Sequence, residues 1–159
     1  MPVPVTPQNR RRKAPQKRRE GAGTQKADPM EKALDTPKEF NVLSEQIIGC
    51  AIQVHKTLGP GFGEKMYAKA LAHEFKKSRL SFIQEAPVRV KYDGVFVGMQ
   101  RLDFTVADKI VLEVKAVYDL NNFHMAQVLS YLKATGKRLG LLLNFSRSRL
   151  QIKRVANHL

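Results

Sequence analysis

An α/β fold follows from three observations. Two stretches of helical apolar periodicity come first, three strand-like segments separated by turn signals come next, and one more helix and one more buried strand close the chain. The expected core is a central mixed four-stranded sheet flanked by helices, in the order αβββαβ with two consecutive helices at the first position. It stands behind a basic N-terminal tail that is expected to be disordered. At 159 residues the chain has room for one domain with a real core.

Residues 1–40 are assigned to the tail and residues 41–159 to the domain. Pro, Gln, Gly and charge dominate the first 38 residues, with too few large apolar side chains to offset the entropy of ordering. Leu43, Ile47, Ile48, Ala51, Val54 and Leu58 then recur at helical spacing, with Asn41 or Ser44 as the cap and Gly59-Pro60-Gly61 as the stop. A second helix runs from about Glu64 to Lys77 on the face made by Met66, Tyr67, Ala70, Leu71 and Phe75. Phe82 to Tyr92 reads as a strand interrupted near Pro87, and Asp93-Gly94 is a strong hairpin turn into a strand ending at Val106. Asn121 or Asn122 caps a third helix that runs to about Ala134 and closes at Gly136. Arg138 to Asn144 is a buried strand, and Leu150 to Val155 a candidate edge strand.

Charge points to a polyanionic partner, nucleic acid first. The chain carries a formal +14, and the excess is shared: ten Lys/Arg against five acids in residues 1–40, eighteen against nine in the remainder. The single cysteine, Cys50, excludes an internal disulfide and the cysteine-rich zinc patterns, and suits a reducing, cytoplasmic setting. No apolar run reaches the length of a membrane span, and the expected partners include no membrane.

The chemically informative segment lies in the middle. Ile110-Val111-Leu112-Glu113-Val114-Lys115 is short and rich in β-branched residues, as a strand buried on both faces would be, yet it carries two charges. Alternation puts Glu113 and Lys115 on one face and Leu112 and Val114 on the other. On the preceding strand Leu102, Phe104 and Val106 alternate against Arg101, Asp103 and Thr105. The connecting loop decides whether the two acids meet. A two-residue turn at Ala107-Asp108 sets Asp103 opposite Leu112, whereas a loop over Ala107 to Lys109, or a turn plus bulge, sets Asp103 opposite Glu113. The second geometry is expected, and a divalent cation is the expected partner of two acids so placed.

The order of elements, with an acid on the second strand and acid-x-Lys on the third, resembles the PD-(D/E)XK nuclease superfamily, whose core is restriction-endonuclease-like. Gly61-Phe62-Gly63-Glu64-Lys65-Met66-Tyr67 matches the Gly-x-x-Glu-x-x-Tyr signature of its GxxExxY protein family. Val54 to Gly61, Tyr92-Asp93-Gly94, His124 to Leu132 and Gly140 to Phe145 resemble family positions too, so the likeness covers roughly residues 41–155. One departure is Ala68, where an acid often follows the tyrosine of the signature.

The resemblance implies a Mg²⁺-dependent nuclease-like protein, with Mn²⁺ as a substitute ion and DNA ahead of RNA as substrate. Asp103, Glu113 and the Val114 carbonyl would bind the metal, and Glu64 would complete or extend that set. Lys115 would orient or activate the attacking water, and Gln127 would hold substrate or water. Each residue also has a plainer role open to it. Asp103 is placed to pair with Arg101 on its own face, Glu64 to stabilise a helix dipole, and Gln127 to face solvent; Glu113 and Lys115 would then lie on a solvated strand face. The alternative function is a non-catalytic or partner-dependent nucleic-acid-binding module, because so small a core leaves little surface for recognition and invites a protein partner for targeting.

Overall fold

The computed structural model describes residues 37–158. The basic run between Arg10 and Arg19, and with it most of the expected tail, lies outside the described residues. Helices α1 (Pro37–Leu58) and α2 (Glu64–Lys77) are followed by strands β1 (Phe82–Tyr92), β2 (Val95–Val106) and β3 (Ile110–Lys115). Helix α3 (Asn122–Thr135) then leads into β4 (Leu139–Asn144) and β5 (Gln151–Ala156). The expected four-stranded mixed sheet is present and β5 extends it to five, in the order β1-β2-β3-β4-β5. Only β3 and β4 run parallel, and α3 makes the crossover between them.

The sheet is covered on both faces, which explains why β3 and β4 read as unbroken apolar runs. On one side Ile47, Val54, Tyr67, Leu71 and Phe75 of α1 and α2 pack on Phe104, Leu112, Val114, Leu141 and Leu143. On the other, Val128, Tyr131 and Leu132 of α3 pack on Val88, Leu102, Val111 and Leu142. Leu102 thus lies on the α3 side while Phe104 and Val106 lie on the α1/α2 side. The simple alternation expected along this strand fails where the β2–β3 ladder ends, because Phe104 is the first residue of β2 paired with β3 and the residues before it are free of that partner.

Two other expectations are corrected. Helix α1 begins at Pro37, inside the segment assigned to the tail, because Phe40 packs against the core and Glu39 lies 3.5 Å from Lys109. Strand β1 passes through Pro87 uninterrupted: as an edge strand it has no outer partner to whom a missing N–H would matter. Its irregularities fall at Glu85, with φ of 53°, and at a register shift between Val90 and Lys91.

Local signals account for the third helix. The Asn121 side chain accepts from the Phe123 and His124 amides, the His124 ring accepts from the Asn121 amide, and Gly136 closes the helix at φ 68°. The helix sits close to the sheet at Gly140, where an added Cβ would collide with a Val128 methyl. Gly140→Ala is expected to lower stability by about 1–3 kcal/mol in urea denaturation, because α3 must shift to make room. Among the described residues no helix is long and apolar enough to cross a membrane.

Candidate active site

The site is built where two strands part. Strands β2 and β3 are joined by Ala107 and Asp108, both at positive φ, and by Lys109, whose amide donates to the Val106 carbonyl at 3.0 Å. Val106 pairs with Ile110, Thr105 with Val111 and Phe104 with Leu112. The longer of the two connections is therefore present, and this register continued by one step sets Asp103 across from Glu113. There the backbone ladder stops, and carboxylates take over its donors. The Asp103 amide donates to Glu113 Oε1 at 3.1 Å, and the Val114 amide donates to Asp103 Oδ2 at 2.7 Å. The acids thus satisfy backbone groups that the parting strands would otherwise leave unpaired.

Both carboxyls carry the marks of crowding and burial. Glu113 is 4 % exposed, and burial, reinforced by the negative charge of Asp103, pushes its pKa up to about 8. Burial likewise raises Asp103, against the pull of the Val114 amide. The two side chains are hydrogen-bonded to each other. The pair titrates as a unit, with Glu113 pushed to hold a proton to higher pH than a free glutamate does. Lys115 offsets this only in part, since its Nζ is 3.9 Å from Glu113 Oε2.

Lys115 is instead aimed by α3. Its Nζ donates to Gln127 Oε1 at 3.0 Å, and Gln127 Nε2 donates to the Tyr131 hydroxyl at 3.1 Å. Gln127 is thus half-buried between two polar partners and does not lie on a solvent face. Beyond Lys115 the chain is clamped by Asn144, fully buried at the end of β4. Its Oδ1 accepts from the Val117 amide at 3.0 Å and its Nδ2 donates to the Val117 carbonyl at 2.8 Å. The Phe145 amide closes on the Lys115 carbonyl at 2.9 Å.

Glu64 approaches from the opposite wall. It is exposed at the first position of α2 and lines, with Asp103, a cavity of about 440 Å³. Its charge contributes to the raised pKa of Asp103. The tyrosine three residues on fixes its position. Tyr67 is fully buried and stacks on Phe145 at 4.6 Å, and its hydroxyl donates to the Gly59 carbonyl at 2.6 Å and accepts from the Phe62 amide at 3.2 Å. The signature spacing therefore places the acid in the cleft while the tyrosine locks the preceding loop to the core. Tyr67→Phe is expected to cost about 1–3 kcal/mol in thermal unfolding, through the carbonyl and amide left without a partner.

Sequence reasoning missed other residues of the cleft: Lys65, Lys69, Gln84 and Glu85. Lys65 and Lys69 stand one helical turn apart beside Glu64, a spacing that was readable. Glu85 falls across from Asp103, between the ladder pairs Gln84–Phe104 and Ala86–Leu102. It is Glu85, at 4.0 Å, that meets Arg101, so Arg101 has a partner other than Asp103.

The donor set suits a small hard cation. Among the described residues no three His, Cys, Asp or Glu side chains converge as a metal cluster, so Glu64 stands apart from the Asp103–Glu113 pair. Mg²⁺ keeps several waters and needs few protein ligands. Two crowded carboxyls, Glu113 buried and Asp103 half-buried, are a pair that a divalent charge would relieve.

A sequence model described as the PD-(D/E)XK nuclease superfamily matches residues 41–155. The chain is similar to the crystal structure of SSO0001 at 19% identity and a TM-score of 0.49, over 61% of this chain and 51% of that one. It thus spans about half the length of that protein. It is also similar to an alkaline exonuclease (LHK-Exo) from Laribacter hongkongensis at 11% identity and a TM-score of 0.46, over 78% of this chain and 72% of that one. The same exonuclease in complex with dAMP matches at 11% identity and 0.46, over 79% and 73%. No curated relative matches the chain.

Proposed function

Because the chain belongs to the PD-(D/E)XK nuclease superfamily, we propose that it hydrolyses phosphodiester bonds in nucleic acid, DNA ahead of RNA, at the cleft where β2 and β3 part. The observation that carries this reading is the crossed pairing of Asp103 and Glu113, in which the Asp103 amide donates to Glu113 and the Val114 amide to Asp103, with the Lys115 ammonium 3.9 Å from Glu113. The Gly61-x-x-Glu64-x-x-Tyr67 spacing supports placing the chain in the GxxExxY family within that superfamily.

Asp103, Glu113 and the Val114 carbonyl would hold Mg²⁺, or Mn²⁺ in its place. When bound, such an ion supplies Lewis acidity at the phosphoryl oxygen and lowers the pKa of the attacking water. The protein contributes the rest. Lys115 donates one of its three N–H bonds to Gln127 and has the other two to donate to the attacking water and a phosphate oxygen. Gln127 holds the ammonium in place, and Tyr131 holds Gln127. Glu64 shares the cavity with Asp103 and orients solvent there, while Lys65 and Lys69 favour entry of a phosphate. Water adds at phosphorus and the ester oxygen departs with a proton.

The test is cleavage of labelled single- and double-stranded DNA and RNA with Mg²⁺ or Mn²⁺, by wild type and by Asp103→Ala. Metal-dependent cleavage that Asp103→Ala abolishes is the expected result. Wild type inert on every substrate, or cleavage that survives in Asp103→Ala, would overturn the reading.

A further inference from the structure

Helix α3 carries a row of residues outside the core, of which the cleft uses only Gln127. Positions 123, 127, 130 and 134 recur one turn apart along one face. Gln127 is the member of this row that touches Lys115. One turn before it, Phe123 is 77% exposed, and Tyr118, on the loop leading from β3, is 84% exposed. Phe123 thus presents a large ring to solvent one turn from Gln127, whereas the Tyr118 ring lies under the Arg147 guanidinium at 5.0 Å.

At the far end of the row, Ser130, Lys133 and Ala134 face Arg89, Val90 and Lys91 of β1 across a cavity of about 670 Å³. The guanidinium of Arg89 is held 4.5 Å above the ring of Phe96. Among the described residues no carboxylate forms an ion pair with Arg89, Lys91 or Lys133. From Phe123 to Lys133, which flanks the row, the helix rises about 15 Å. It runs from an exposed aromatic, past the site amide, to a groove of three cations.

We propose that this face of α3 is a track for an unpaired nucleic-acid strand, with a base stacked on Phe123 and phosphates held by Arg89, Lys91 and Lys133. The direction of the strand into the cleft rests on the nuclease reading; the binding itself does not. Stacking on a protein ring needs a base whose face is free, which a duplex interior does not offer. A second copy of the chain is the poorer occupant, because a two-fold contact over this face would set its three cations against themselves. Pairing of β1 edges is also blunted by the positive φ at Glu85 and the register shift after Val90.

The test is fluorescence anisotropy of the full-length protein in EDTA, where metal-dependent turnover is silent, with labelled oligo-dT, oligo-rU and a blunt DNA duplex. Wild type is expected to bind the single strands more tightly than the duplex, and the stronger of the oligo-dT and oligo-rU arms identifies the sugar. Phe123→Ala, a change at an exposed position, is expected to weaken single-strand binding roughly five- to fiftyfold and to leave duplex binding unchanged. Lys91→Gln with Lys133→Gln is expected to flatten the dependence of log affinity on log salt by about 1.4. Single-strand affinity unchanged in both variants would overturn the track. So would a preference for duplex, or a sedimentation profile in which Phe123→Ala dissolves a dimer. Loss of binding in these variants from a wild type that never cleaves would sink the nuclease reading and leave the track standing; cleavage with unaltered binding would do the reverse.

Discussion

Glu113→Gln is expected to abolish metal-dependent cleavage, by about a thousandfold, while making the metal-free protein more stable at alkaline pH. The two effects have one cause. Folding lifts the Glu113 pKa from 4.5 to about 8, so the folded state binds this proton more tightly than the unfolded chain does. The resulting stabilisation is complete below pH 4.5 and is lost as pH rises through about 8. For a shift of this size the loss amounts to several kcal/mol. Metal-free wild type should therefore show a melting temperature that falls from pH 5 to pH 9, and the neutral amide should flatten that fall. Mg²⁺ should raise the wild-type melting temperature more at pH 8.5 than at pH 6, since it displaces the proton, and should do nothing for Glu113→Gln. A metal-free wild type whose melting temperature ignores pH in this range would contradict the crowded, buried pair.

Lys115→Met separates chemistry from metal binding. Lys115 contacts Gln127 at 3.0 Å and stands 3.9 Å from Glu113, a position suited to water or phosphate. Its removal is expected to cut single-turnover cleavage about 10²- to 10⁴-fold while the Mg²⁺-induced rise in melting temperature persists. Because the Lys115 charge holds the Glu113 pKa down, its loss should also move the acid limb of any residual activity to higher pH. Lys115→Arg is not expected to restore the rate, since a planar guanidinium cannot occupy the narrow place of an ammonium against Gln127. Loss of the metal response in Lys115→Met would instead make this residue part of the binding set.

Much of the site was legible because register is arithmetic. The choice between a two-residue turn and the longer connection over Ala107 to Lys109 settled whether Asp103 could meet Glu113, and β-branched residues around both charges marked the strand as buried. The spacing from Glu64 to Tyr67 likewise announced a fixed helix start. What alternation could not show is where β2 leaves β3. A strand pattern describes one strand, whereas the parting shows only in the pairing with β3 and in the packing of Leu102 on the α3 side of the sheet. The same limit hid Glu85, whose place across from Asp103 follows from pairing with β1 and whose positive φ no propensity favours. The start of α1 was missed for another reason: Phe40 is one apolar residue among polar ones, and its anchoring value comes from the core it reaches.

The clamp at Asn144 has a consequence for motion. Residues 116–121 contain no helix or strand, and a segment of that kind would ordinarily open to solvent on its own. Here the Val117 amide and carbonyl are both bound by a fully buried side chain on β4. That amide should exchange with deuterium as slowly as its neighbours in β3, while amides at the Asp93-Gly94 hairpin tip exchange quickly. The ground beneath Lys115 then loosens only when β3 and β4 come apart, which makes access to a disordered site a matter of unfolding the sheet and not of a loop swinging free.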